Sequence, residues 1–421
     1  MNIKIGNLFK GDKVIWVVFF FLCAISIVEV FSASSTLTYK SQNYLGPITY
    51  HTAMILVGIG VTIVAHHVPC RYFKLLTLVL LVFSVVTLLW VLVGGESING
   101  ANRVISILGF TFQPSEIAKG TMVLYTAQIL GATQRETGAD RKAFKFILPV
   151  LLLMVFLIGI ENLSTAGLLF LVILGMMFIG RIPTSQMLQL IGPCVLLVAI
   201  FLTLVMTLGS IESDDNIESQ MTESVVSVSS EQQTDKNSIK GGGVLHRFAT
   251  WRNRILKFFD NEEVPPEEYD IEANYQVAHA NMAIASSSVM GKLPGNSTER
   301  DYLPQAFSDF IYAIIIEEMG LFGAAFVVFL YIVLLYRAAR IASRCENNFP
   351  AFLVMGLSLL LAIQATFNMM VAVGLAPVTG QPLPLISKGG TSTIINCAYI
   401  GAILSVSRTA KMRPNNKEVS S

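Results

Sequence analysis

Apolar residues run almost unbroken through ten stretches of the chain, at about 14–34, 50–68, 73–93, 114–132, 146–161, 165–181, 187–209, 309–336, 351–375 and 390–408. Each is close to the roughly 20 residues that an α-helix needs to cross a hydrocarbon core. The pattern predicts an all-α, polytopic integral membrane protein with ten transmembrane helices. The fifth and sixth runs nearly fuse, and Glu161-Asn162 supplies the break between them. The first run follows Lys4, Lys10 and Lys13 and precedes FSASS, a stretch that could pass for a signal-peptidase site. It is longer than the 7–15 residues usual for a signal h-region, which favours a retained first helix with its N-terminus inside.

Composition agrees with this. Of 421 residues, 53% are hydrophobic and 14% charged, against about 25% charged in soluble chains. A net charge of +1 gives no electrostatic reason to expect a nucleic-acid partner. The five cysteines show no spacing that implies a disulfide framework or a zinc site. Arginine and lysine gather in alternate short connections: Arg71 and Lys74; Arg135, Arg141, Lys142 and Lys145; Arg181; Arg337, Arg340 and Arg344; and the tail at 410–421. The positive-inside rule then places both termini in the cytoplasm.

One connection, roughly 210–308, is long. Its first part, 210–243, is acidic and Ser-rich and is expected to be a disordered insertion. The remainder, 244–308, is expected to be ordered. RFATWRNRILKFFD is a basic amphipathic stretch suited to lipid or to other helices, and NYQVAHANMAIASSSVMGKLPG supplies small residues and a glycine turn. The chain as a whole reads as a single membrane domain.

Charges within spans are candidates for function. Asp309 opens the eighth span, where it could serve as an N-cap or first-turn carboxylate, or as a carboxylate at the external lip of a cavity. Glu317 and Glu318 follow, about 12–14 Å deeper on a continuous helix. Adjacent residues point about 100° apart, so the two are not expected to face one site and are read as internal polar supports. QPSEIAK opens the fourth span with Gln113, Pro114 and Glu116, and Lys119 shares a face with Glu116. Arg103 lies in an external loop. In GLAPVTGQPLPLISKGGTS, the residues Ser387, Lys388, Gly389, Gly390 and Thr391 open the tenth span, where free N–H groups beside a lysine would suit an anion. His66 and His67 are read as interfacial, and Glu29 has no evident role.

These blocks resemble the SEDS family (shape, elongation, division and sporulation), the FtsW/RodA group. NGANRVISILGFTFQPSEIAK is similar to one family block, with Asn102 and Val104 in place of the usual arginine and tryptophan. LPQAFSDFIYAIIIEEMG is similar to a second, with Phe307-Ser308 for His-Thr, and the Pro-rich SKGGTS stretch to a third. ENLSTAG lacks the aspartate of the corresponding family block and keeps Thr165 and Ala166. The insertion at 210–243 has no counterpart.

The resemblance implies a peptidoglycan glycosyltransferase that polymerises lipid II at the outer face of the bacterial cytoplasmic (inner) membrane, more FtsW-like than RodA-like and so septal. It puts the family's essential aspartate on Asp309 as general base. Arg103, Gln113, Glu116, Lys119, Ser387, Lys388, Gly389, Gly390 and Thr391 would then bind substrate. No cofactor is certain; a divalent cation such as Mg2+ or Mn2+ is the candidate. Expected partners are lipid II and undecaprenyl-linked glycan, a class B penicillin-binding protein, other divisome or elongasome proteins and membrane lipid. The competing readings are a lipid-linked precursor flippase and a non-catalytic division scaffold.

Overall fold

The computed structural model describes residues 9–33, 46–94, 96–98, 101–107, 110–136, 138–190, 275–303 and 306–410, with a few isolated positions between 192 and 256. Most of the predicted seventh span, the insertion at 210–243, most of the RFATWRNRILKFFD stretch and the tail after 410 lie outside them. The chain divides into two units: Met1–Ile98, Asn102–Pro183 and Asp270–Ser421 form one, Asn99–Ala101 and Thr184–Tyr269 the other. In the second, the longest described run is a short helical stretch at 184–190.

The helices of the first unit are α1 (Lys13–Ala33), α2 (Gly46–His67), α3 (Cys70–Gly94), α4 (Pro114–Thr133), α5 (Arg141–Glu161), α6 (Leu163–Ile179), α7 (Tyr275–Ser286), α8 (Ile311–Ala342), α9 (Asn348–Ala372) and α10 (Thr391–Ala410). Among the described residues six of these, α1, α2, α3, α5, α8 and α9, are long and apolar enough to cross a bilayer. The protein is a multi-pass membrane protein. A small sheet, β1 (Glu96–Ile98), β2 (Ala101–Ile107) and β3 (Phe110–Phe112), precedes α4 and was not expected from the helical pattern. β2 and β3 pair antiparallel, with Ile105 opposite Phe112. The break at Glu161-Asn162 is real: α5 ends at Glu161, and the Asn162 side chain accepts the Ser164 and Thr165 N–H groups to start α6.

Apolar burial gives little drive between helices in lipid, so close packing relies on small residues and interhelical hydrogen bonds. α2 and α10 show both. A Cβ on Gly58 would come within 2.6 Å of Cys397 Sγ, and one on Gly401 within 2.7 Å of the Thr62 carbonyl. Thr62 Oγ1 donates to the Cys397 carbonyl across the gap at 2.9 Å.

Two ends of the bundle can be told apart. At one, Asp12 receives Arg337 of α8 (Nε to Oδ1 3.3 Å) and its N–H donates to Ser407 Oγ of α10. Arg408 donates to the His67 carbonyl there. His66, in the last turn of α2, is buried at this end against Trp16 and below Gly11. At the other end, Ser26 and Ser32 of α1 reach the segments that precede α10 and α8.

α8 is not one helix. Gly320 has φ 68° and ψ −171°, dividing it into a half-helix at 311–319 and a long helix at 321–342. A continuous helix of 32 residues would run about 48 Å, well beyond a core of about 30 Å. The 22 residues after the break suffice to span by themselves.

Candidate active site

Asp309 sits in the turn before the half-helix. The N-cap position belongs to Phe310, which makes no side-chain capping bond. The capping role considered for Asp309 is therefore replaced by another arrangement. Ser308 Oγ donates to Asp309 Oδ1 at 3.0 Å, and the Asp309 main chain is held from outside the helix.

That hold comes from the segment between α9 and α10. Lys388 N–H donates to the Phe307 carbonyl at 2.9 Å. Ser387 Oγ donates to the Ser308 carbonyl at 2.6 Å. Asn368 Nδ2 donates to the carbonyls of Asp309, at 2.8 Å, and Gln381, at 2.7 Å. Three consecutive carbonyls, of residues 307, 308 and 309, are thus each taken by α9 or the segment after it. The Lys388 ammonium lies 5.0 Å from the Phe307 ring centroid, a cation–π approach. Burial pushes that ammonium below the usual lysine range.

The segment itself is irregular, and irregular backbone at membrane depth survives only where protein satisfies it. Gln364 Nε2 donates to the Pro382 carbonyl at 3.1 Å, Ser387 Oγ accepts the Leu383 N–H at 2.8 Å, and Tyr331 OH donates to the Pro384 carbonyl. Ser26 Oγ donates to the Ile386 carbonyl at 2.6 Å and pairs with His51 Nε2. Gln381 Nε2 donates to Thr165 Oγ1 at 2.6 Å, which brings the ENLSTAG stretch to the same centre. Leu385 is held at φ 67°, a left-handed conformation that a branched residue adopts only under constraint.

The QPSE block reaches the same segment from α4. Lys119 is fully buried, and its ammonium donates to Glu116 Oε1 and Gln364 Oε1, both at 2.8 Å. Tyr399 OH of α10 takes the Glu116 carbonyl at 2.5 Å. Gln113 is the N-cap residue of α4 without a side-chain capping bond, and its carbonyl accepts the Glu116 N–H. Gly389 and Gly390 lead into Thr391, the first residue of α10, with Gly390 at φ 54°. Arg103 lies on β2; its side chain is outside the described residues.

Glu317 and Glu318 differ from the expectation most. They close the half-helix, and both face one loop, 286–300, because that loop wraps the helix end, its Lys292 and Leu293 N–H groups donating to the Glu317 and Glu318 carbonyls. Glu317 accepts from Lys292 Nζ at 2.7 Å, from Ser297 Oγ at 2.5 Å and from Thr298 N–H at 3.0 Å. Glu318 accepts from Ser32 Oγ and, at 3.3 Å, from the Ser297 N–H, with Arg300 Nη1 at 3.8 Å. Glu29 is buried near Glu318, within its electrostatic reach.

The polar residues missed from sequence are Gln364 and Asn368, four apart in α9, and His51 with Ser26. An isolated Gln-x-x-x-Asn pair on one face of an apolar helix was the available signal. No group of three His, Cys, Asp or Glu side chains among the described residues could hold a metal ion.

The comparisons fit this geometry. The family model described as "Cell cycle protein", covering FtsW, RodA and SpoVE proteins, matches residues 12–233 and 237–412. The chain belongs to this family. It is 29% identical to the "Probable peptidoglycan glycosyltransferase FtsW" of Hahella chejuensis over 92% of this chain and 88% of that protein. To the protein of the same description from Acinetobacter baylyi it is 27% identical, over 95% and 91%. Among solved structures, it resembles one from "Structural coordination of polymerization and crosslinking by a peptidoglycan synthase complex", with TM-score 0.68, 22% identity and coverage of 96% and 99%. The rod shape determining protein RodA of Thermus thermophilus matches with TM-score 0.61 and 21% identity, over 97% of this chain and all of that one.

Proposed function

We propose that this protein is a peptidoglycan glycosyltransferase that polymerises lipid II at the outer face of the cytoplasmic membrane, with Asp309 as general base. The observation that carries the reading is the fastening of the Phe307–Asp309 carbonyls to Asn368, Ser387 and Lys388. It sets a carboxylate and a cation on two segments joined bond by bond.

In this reading Asp309 takes the proton of the acceptor sugar's 4-hydroxyl as its oxygen attacks the anomeric carbon of the donor. The new C–O bond forms as the anomeric bond to the diphosphate breaks, and undecaprenyl diphosphate leaves. One displacement inverts an α linkage to β. A positioned base contributes typically 10²–10⁴-fold. Lys388, Arg103 and the N–H groups at Gly389, Gly390 and Thr391 answer the charge growing on the leaving group. Gln113, Glu116, Lys119 and Ser387 serve the substrate through the segments they hold.

The relatives' names support a septal, FtsW-type role. The complex among the structural neighbours supports a class B penicillin-binding protein as partner. The test is polymerisation of lipid II by the purified chain in proteoliposomes, with and without that transpeptidase. Asp309→Asn should abolish glycan strands while leaving the protein folded; normal synthesis by this variant would overturn the assignment.

A further inference from the structure

Outside the site, the densest polar cluster in the described structure is the loop 286–300 closed on the end of the half-helix. Lys292 is its hub. Its ammonium donates to Ser286 Oγ at 2.9 Å, Thr298 Oγ1 at 3.0 Å and Glu317 Oε1 at 2.7 Å. Its backbone N–H donates to the Glu317 carbonyl at 2.9 Å, and the Leu293 N–H to the Glu318 carbonyl at 2.7 Å. Carbonyls at a helix C-terminus lack partners within their helix, and here a separate loop provides them.

The approach is too close for side chains. A Cβ on Gly320 would lie 2.4 Å from the Val289 carbonyl, and one on Gly291 2.3 Å from the Glu318 carbonyl. Leu293 is held at φ 72° and Gly291 at 74°. Glycine adopts that conformation freely, whereas Leu293 keeps it only where the surroundings over-determine it.

The half-helix is therefore fastened at both ends. Asn368, Ser387 and Lys388 hold its entrance at residues 307–309, and the loop holds its exit at residues 317–318. Nine residues at 1.5 Å each make a lever of about 13 Å. A shift at one end of a rigid lever re-aims the other.

We infer that Lys292 is a positioning residue for Asp309, acting through Glu317 and the half-helix between them. This rests on the reading of Asp309 as the base. Ser32 extends the clasp to α1, since it bonds Glu318, Arg300 Nη1 and the Gly295 N–H. A displacement of the outer end of α1 would reach Asp309 by the same route.

The test uses the full chain in proteoliposomes with lipid II, alongside hydrogen exchange of the amides at 289–319. Lys292→Met should lower kcat about tenfold or more, the usual scale for losing a hydrogen bond to a charged group, with KM within about twofold. The Lys292 and Leu293 amides should exchange faster in this variant. Lys292→Arg should recover much of kcat. Thr298→Val, which removes one oxygen from the cluster, should give a smaller loss of the same kind if Lys292→Met does not fold. Unchanged kcat per folded molecule, a rise in KM alone, or unchanged exchange would overturn the inference. If Asp309→Asn stays active, the base assignment falls, and the exchange result still reports separately whether the clasp holds the half-helix.

Discussion

The Asn368 side-chain amide donates to the Asp309 main-chain carbonyl at 2.8 Å, and its other hydrogen goes to the Gln381 carbonyl at 2.7 Å. One amide group thus spans two segments that share no secondary structure. Asn368→Leu removes both bonds and leaves two carbonyls without this donor, at a cost of about 1–3 kcal/mol each. We expect at least a tenfold loss of polymerisation. Asn368→Asp, which keeps the shape and loses the donors, should be no better. Lipid II turnover normalised to folded protein checks both.

Lys119 and Glu116 form a buried ion pair with side-chain exposures of 0% and 2%. Breaking such a pair from one side costs about 3–5 kcal/mol, whereas replacing both partners by apolar residues can be nearly neutral. Lys119→Met should lower the melting temperature in detergent more than Glu116→Leu/Lys119→Met does. Because Gln364 also loses its contact with Lys119, activity should stay low in both variants, which sets the pair's folding role apart from its effect on the 381–388 segment.

Gly320→Ala places a methyl against the Val289 carbonyl and forces a left-handed φ on a residue with a side chain. The expected result is a loss of stability above the roughly 1 kcal/mol usual for a point mutation. Gly60→Ala, which meets nothing within 4 Å, is the control. Thermal unfolding of the two purified variants gives the comparison.

Burial depresses the Lys388 ammonium, and the sign of the pH effect follows. Between its folded and unfolded pKa values the unfolded chain binds more protons, so this group makes stability rise with pH. If Lys388 meets the diphosphate as proposed, activity moves the other way, because its charge is lost as pH climbs through the lowered pKa. The alkaline limb of kcat/KM should fall below the ordinary lysine range. Lys388→Arg should move that limb upward, since a guanidinium stays charged.

The six long apolar helices among the described residues were legible in the sequence because hydropathy marks runs of spanning length. The blocks around Gln113, Asp309 and Lys388 were legible as motifs, and the structure joins them. The break at Gly320 was not, since a glycine within an apolar run changes nothing in a hydropathy count. For the same reason Glu317 and Glu318 were read as turned apart, when one loop meets both: Lys292 and Ser297 bond Glu317, and Ser297 bonds Glu318. Gln364 and Asn368 were passed over because a neutral amide registers weakly beside charges. Their importance comes from which carbonyls they meet, and that is a fact of tertiary structure.

The half-helix also dictates an order of events during synthesis. Asp309 leaves the ribosome before Asn368, Gln381, Ser387 and Lys388, the residues that fasten its turn. When the half-helix is made, only the loop upstream of it is available to hold it. Its entrance stays unfastened until α9 and the Ser387-Lys388 turn after it are in place. A nascent or truncated chain that ends before the Lys388 turn carries its aspartate without the means to aim it. The Asp309 turn is therefore fastened from this side only once the chain through Lys388 has been made.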